Sequence, residues 1–141
     1  MNDQQKKKFR ILLVEDNPAD ISLTKEALNK NEIINEIHVV HNGVEALNFL
    51  EKKHRPDLIF LDLNLPKMTG LEVLKEIKEH KKYRRIPVII LTISTNEEDL
   101  IKAYNLHANC YVIKPLEIKE FYVIMSSIVN FFFKTVTLSK I

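Results

Sequence analysis

Glycine is nearly absent, with only Gly43 and Gly70 among 141 residues. A glycine-rich loop that lets the backbone close on phosphates therefore cannot be built, which argues against a flavin or dinucleotide domain. The single cysteine, Cys110, excludes an intramolecular disulfide. A dominant charge is missing as well, because 21 basic residues against 19 acidic leave a net charge of +2. The basic residues are dispersed except for Lys6-Lys7-Lys8, in the polar start MNDQQKKKFR, and the run from Lys81 to Arg85. Both runs read as solvated surface, and neither makes an extended nucleic-acid footprint or a membrane contact. No secretory apolar core of adequate length follows Met1, so a cytoplasmic chain is expected. No linker or low-complexity segment beyond the N-terminal tail divides the sequence. Its length suits one domain, burying roughly 68% of the surface the unfolded chain would expose.

What is present is alternation. FRILLVE (Phe9 to Glu15) is a short, mostly apolar run, and Asn17-Pro18 then supplies a cap and a proline suited to a first helical position. In ADISLTKEALNK, Ile21 and Leu28 lie seven apart and Leu23 and Ala27 four apart, the intervals of one helix face. IHVVH (Ile37 to His41) reads as a second strand, and Gly43 opens a helix with Val44, Leu47 and Leu50 three apart. Gly43 is expected to relieve backbone strain there. DLIFL is the third strand, followed by a helix with Leu71, Leu74 and Ile77 on one face. IPVIILT (Ile86 to Thr92) is the fourth, and Thr95-Asn96-Glu97-Glu98 reads as a capping box opening a helix to about Leu106. NCYVIK is the fifth strand, and a long apolar helix starts near Leu116. Parallel strands need crossover helices and read as nearly continuous apolar runs, so five such units predict a parallel sheet covered on both faces.

In DLIFLDLNLPKMTG one aspartate, Asp62, stands among five apolar residues. In an open α/β sheet, ligands bind outside the carboxyl ends of the strands, where the loops converge. Polar residues gather at those ends: Glu15 and Asp16 after the first strand, Asp62 after the third, Thr92 after the fourth and Lys114 after the fifth. Three carboxylates within a few Å repel by about 4 kcal/mol per pair at an effective dielectric near 20. A hard divalent cation such as Mg²⁺, together with Lys114, would offset that. Carboxylates, a hydroxyl, a lysine and Mg²⁺ make a phosphoryl-transfer site in which an aspartate can be the nucleophile. The five histidines, His38, His41, His54, His80 and His107, lack ligand spacing and read as structural or solvated.

With VEDNP, LDLNLPKMTG, LTIS and YVIKP in this order, the sequence resembles a response-regulator receiver domain of two-component signalling from Phe9 to about Phe133. The resemblance implies a flavodoxin-like doubly wound (βα)5 fold with strand order 2-1-3-4-5. Residues 1–8 would be a flexible tail and 134–141 a C-terminal extension. Asp62 would be the phosphoacceptor, taking a phosphoryl group from a phosphohistidine of a sensor histidine kinase. Asp16 would bind Mg²⁺ directly, Glu15 largely through water, and the Asn64 carbonyl would complete the protein ligands alongside Asp62. Thr92 would hydrogen-bond a phosphoryl oxygen, Lys114 would pair with its charge, and Tyr111 would follow Thr92 in a switch. NPADISLTKEAL and LTISTNEEDLIKAYNLHANCYVIKPL are similar to the stand-alone regulators that partner phytochrome-type kinases.

Further expectations concern the surroundings. Ile93 stands where this family generally has a small residue, and its bulk is expected to narrow access to the phosphoryl group. On the last helix, Phe121, Met125, Ile128 and Phe132 are expected to cover the sheet, leaving Tyr122, Val123, Val129, Phe133 and Val136 on other faces. A helix apolar beyond one stripe usually has another partner. A homodimer through the last helix and the neighbouring surface of helix four and strand five is therefore expected. No output segment follows the matched region, so action by docking is expected, without DNA binding. An aspartate-nucleophile phosphatase would need an acid beside the nucleophile, but Asn64 occupies the second position after Asp62. A scaffold without chemistry would not need the acidic, hydroxyl and lysine residues together.

Overall fold

In the computed structural model, which describes residues 9–31, 34–52 and 55–140, alternate residues of each strand serve opposite faces of one sheet. The elements run β1 (Phe9–Val14), α1 (Pro18–Asn29), β2 (Ile34–Val40), α2 (Gly43–Lys52), β3 (Leu58–Leu61), α3 (Gly70–Glu79), β4 (Val88–Thr92), α4 (Glu97–Asn105), β5 (Cys110–Ile113) and α5 (Ile118–Asn130). All strand pairs are parallel, and the order is β2-β1-β3-β4-β5, as expected. The tail over residues 1–8, with its lysine triplet, and His54 lie outside the described residues.

Strand periodicity makes two cores from one sheet. Ile11, Leu13, Leu58, Phe60, Ile89 and Leu91 face α1 and α5, meeting Leu28, Phe121 and Met125. Leu12, Val14, Ile59, Leu61, Val88 and Ile90 face the other way, against Leu50, Val73, Leu74 and Ile77 of α2 and α3. This double burial is why the strands are apolar without alternation. Helix α4 is the lightly seated element, since Ala103 is its only fully buried side chain.

Local signals set the helix starts. Asn17 caps α1 by accepting the Asp20 N–H at 3.1 Å, with Pro18 following as expected. A reciprocal capping box joins Thr69 and Glu72 at α3. At α4 the expected Thr95 box does not form. Asn96 caps the helix instead, accepting the Glu98 N–H at 2.8 Å, because its carbonyl oxygen reaches the same donors from one residue closer and asparagine is the better cap. Helix α5 begins at Ile118, after Glu117, and leaves Leu116 fully exposed.

The last helix departs from expectation in a way that matters for the surface. Phe121, Met125, Val129, Phe132 and Phe133 are all buried, so Val129 and Phe133 face the core rather than a free side. Val129 lies four residues after Met125 and is fully buried, while Ile128 is half-buried against the same core as expected. Beyond α5 a π-helical continuation, Phe131–Thr135, widens the turn so that Phe133 also points inward. There it stacks on Phe9 with ring centroids 3.9 Å apart. Tyr122 is tied to α1, its hydroxyl donating to Glu26 Oε1 at 2.9 Å while Lys30 Nζ lies 4.9 Å from its ring centroid. Val123 and Phe131 remain exposed at 65% and 52%.

Gly43 is needed for space rather than dihedral freedom. No glycine has positive φ, but a Cβ at Gly43 would meet Val73 Cγ2 at 2.5 Å and Met68 Cβ at 2.8 Å where α2 packs on α3. The same packing economy appears at Lys78. Its ammonium donates to Ile86 O and Asn109 Oδ1, both at 2.9 Å, and to Arg84 O at 3.2 Å, fixing α3 to the start of β4.

Candidate functional site

The carboxyl ends of β1, β3 and β5 converge on one ammonium. Lys114 Nζ donates to Glu15 Oε1 at 2.7 Å and to Asp20 Oδ2 at 3.2 Å, and lies 3.9 Å from Asp62 Oδ2. The Lys114 side chain is 8% exposed. Desolvation alone would favour the neutral amine, yet the hydrogen bond and charge of Glu15, with Asp62 and Asp20 behind it, keep the group charged and leave its pKa raised. Burial pushes the Glu15 carboxyl up to about 7, against the opposing pull of Lys114. The pair is thus a buried ion pair whose acid is held charged mainly by its lysine.

Asp62 is itself nearly buried. Its backbone N–H continues the sheet to Val14 O at 3.1 Å, and its Oδ1 accepts the Asn64 N–H at 3.4 Å, a long contact. Gly70 closes the loop behind it, donating its N–H to Leu63 O at 3.0 Å. Thr92 ends β4 fully buried, and its hydroxyl accepts the Ser94 N–H at 3.3 Å. Lys114 N–H donates to Thr92 O at 2.7 Å. The backbone thus ties the lysine strand to the threonine strand beside the acid.

Tyr111 reaches the same loop. Its hydroxyl donates to Ser94 O at 3.2 Å, while Ser94 Oγ donates to Asp99 Oδ2 at 2.8 Å at the start of α4. The Tyr111 N–H donates in turn to Tyr104 Oη at 3.1 Å. Thr92, Ser94, Tyr111 and α4 are therefore joined through hydrogen bonds. Ile93, directly after Thr92, is 66% exposed and stands at the rim with little packed on it.

Oxygen donors dominate the cleft, which matches the preference of a hard divalent cation. Glu15, Asp20 and Asp62 share one ammonium, and Asp16 lies exposed next to Glu15. That excess of anionic charge fits a cation. Among the described residues, however, no three His, Cys, Asp or Glu side chains converge in a ligating arrangement. Glu15 is turned toward Lys114 and the Asn17 N–H. Of the ligands expected from the sequence, Asp62, Asp16 and the Asn64 carbonyl would be left to hold an ion, a partial set that suits Mg²⁺, which keeps several waters.

Of the seven site residues expected from the sequence, Glu15, Asp62 and Lys114 converge in this cleft, and Asn64 and Thr92 are joined to them through the backbone. Asp16 is exposed beside Glu15, and Tyr111 reaches the loop after Thr92. The structure adds one residue and changes a role. Asp20, in the first turn of α1, was not anticipated as a Lys114 partner. The signal was weak, because an acid in a first helical turn is already explained by the helix dipole. Glu15 serves here as the main counter-charge of Lys114. No cis peptide bond occurs among the described residues, so Lys114-Pro115 is trans.

A parallel five-stranded sheet with acids, a hydroxyl and a lysine at its carboxyl edge defines a receiver, and residues 11–126 match the response regulator receiver domain family. The chain belongs to that family. Response regulator Rcp1 of Synechocystis sp. is 44% identical over 98% of this chain and 98% of its own length. Its Mn²⁺-bound crystal structure gives a TM-score of 0.86 over 93% of this chain and 99% of that one. The phosphorylated cyanobacterial phytochrome response regulator RcpA is 43% identical and gives a TM-score of 0.90, covering 94% of this chain and 99% of that one. The PA1611 receiver domain of Pseudomonas aeruginosa, with a magnesium ion coordinated in its active-site cleft, is 29% identical at a TM-score of 0.71, over 85% and 96% of the two chains.

Proposed function

We propose that this protein is a cytoplasmic phosphoacceptor that takes a phosphoryl group on Asp62 from a sensor histidine kinase of the phytochrome type. The observation that carries the reading is Asp62 held buried at the end of β3 with Lys114 Nζ 3.9 Å away. The similarity to RcpA and Rcp1 supports the choice of kinase. A carboxylate oxygen of Asp62 would attack phosphorus as the phosphorus–nitrogen bond of phosphohistidine breaks, leaving an acyl phosphate on Asp62 and returning the electron pair to the imidazole. Bound Mg²⁺, held by Asp62, Asp16 and the Asn64 carbonyl, would neutralise charge on the transferred group. Lys114 would donate to one phosphoryl oxygen and the Thr92 hydroxyl to another. In this role the protein is consumed stoichiometrically rather than turning over a substrate.

Phosphorylation adds about −1.5 to −2 of charge and three acceptor oxygens. Contacts that differ between the two states are what shift a population. Thr92 accepts from Ser94 N–H in the resting arrangement, and drawing its hydroxyl to the phosphoryl group breaks that bond and loosens the loop on which Tyr111 rests. The lightly buried α4 is the element free to respond.

The decisive experiment mixes the protein with a phosphorylated phytochrome-type kinase core and follows intact and peptide masses. Phosphoryl transfer to Asp62 is expected with Mg²⁺ and is expected to stop when EDTA removes the metal. Label on another residue, or transfer indifferent to EDTA, contradicts the reading.

The same reading includes a homodimer. Ile101 and Tyr104 of α4, Ile113 of β5, and Leu116 and Ile118 after it are exposed at 53%, 48%, 46%, 101% and 55%, an unusual amount of apolar side chain on one side of a small domain. Sedimentation at tens of micromolar is expected to give a dimer, and Ile113→Glu a monomer. A wild-type monomer with and without a phosphoryl mimic removes this part.

A further inference from the structure

Lys114 serves three carboxylates, and the distances rank them. Glu15 at 2.7 Å and Asp20 at 3.2 Å accept hydrogen bonds, whereas Asp62 at 3.9 Å is too distant for one. An ammonium has three donors, so two are committed away from the acid that the reaction uses. The third donor is free, but closing on a phosphoryl oxygen to about 2.8 Å draws the amine toward Asp62 and strains the two bonds that it already makes. The two holders differ in what that departure costs. Glu15 is buried, and stripping its lysine leaves a desolvated carboxylate. The Asp20 side chain is 36% exposed, can take water in exchange, and sits in the first turn of α1, where the helix N-terminus favours its charge.

We propose that Asp20 is a counter-anchor for Lys114: it holds the ammonium back from Asp62 in the resting protein and opposes its transfer to the phosphoryl group. Asp20 is thus a positioning residue, acting through Lys114 and touching neither phosphorus nor Asp62. The inference rests on Asp62 being the phosphoacceptor. It assigns to an acid on the rim a restraint that sets how readily the site accepts the anionic group.

Asp20→Asn removes the charge and keeps the α1 start intact, because Asn17 caps the backbone N–H of residue 20 and not its side chain. The test measures affinity for beryllofluoride, a phosphoryl mimic, with Mg²⁺ by calorimetry, on wild type, Asp20→Asn and Asp20→Glu. A partly exposed ion pair supports an effect of about two- to fivefold tighter binding in Asp20→Asn. Asp20→Glu, which restores the carboxylate, is expected to fall between that variant and wild type. The gain should shrink but survive in about 1 M salt, because screening weakens a pair whose Asp20 side chain is 36% exposed while the hydrogen bond at 3.2 Å is direct. Unchanged or weaker affinity in Asp20→Asn overturns the proposal. So does a gain that salt abolishes, which would be a general field effect, or equal affinities for the Asn and Glu variants. A wild-type protein that takes neither beryllofluoride nor a phosphoryl group on Asp62 defeats the phosphoacceptor reading instead.

Discussion

Asp62→Asn is expected to abolish phosphoryl incorporation while leaving the protein folded. The substitution conserves size at a site that is 8% exposed, so no cavity is opened. An amide oxygen lacks the charge that makes a carboxylate a nucleophile toward phosphorus, so the loss should be complete within detection. Lys114 keeps its two hydrogen-bonding partners, Glu15 and Asp20, and is not stranded as an unpaired buried cation. The charge of Asp62 contributes to raising the Glu15 pKa. Its removal should therefore lower that pKa and leave the thermal midpoint no lower than wild type. Intact mass after incubation with a small phosphodonor and Mg²⁺, alongside a melting curve, checks both halves. Incorporation equal to wild type would move the acceptor elsewhere, and a marked fall in midpoint would mean that Asp62 is held by contacts stronger than those seen.

Gly70→Ala is expected to cost far more than its single methyl suggests. A Cβ there would lie 2.2 Å from the Asp62 carbonyl oxygen and 2.6 Å from Leu63 Cα. Both are backbone atoms, so nothing can rotate aside. Either the start of α3 lifts, breaking the Gly70 N–H bond to Leu63 O, or the loop carrying Asp62 moves. Strain of this kind costs about 3 kcal/mol, a fall of roughly 10 °C in Tm for a domain of this size. Phosphorylation should slow as well, because the acceptor's own peptide is the atom group in the way. Gly43→Ala meets side-chain atoms of Val73 and Met68 instead and is expected to lose less. Equal losses for the two variants in chemical denaturation would count against this account.

These two glycines show what a sequence conceals. Their positions were visible, but the reason Gly43 is glycine is a contact between helices that no local pattern encodes. The architecture was legible because it follows from local period: apolar runs alternating with helical spacing admit few arrangements. The acids, Thr92 and Lys114 were legible because each closes a strand, and strand ends meet in this topology. Asp20 was not, since it meets Lys114 across 94 residues of chain through the direction of α1. Phe133 was misplaced because an ideal helical period was carried through a π-helical continuation, and Val129 because it lies four residues after Met125, an interval as compatible with the core face as the three-residue step to Ile128.

The phenol of Tyr104 occupies the outward amide of Tyr111. An uncovered border strand is a template on which another chain can lengthen the sheet, and β5 is such a border, only four residues long. With one of its few free rungs plugged from α4, this margin is poorly suited to ladder growth. Whatever docks there must rely on the shapes of protruding side chains, so recognition on this flank can be changed by single surface substitutions without rewiring the backbone.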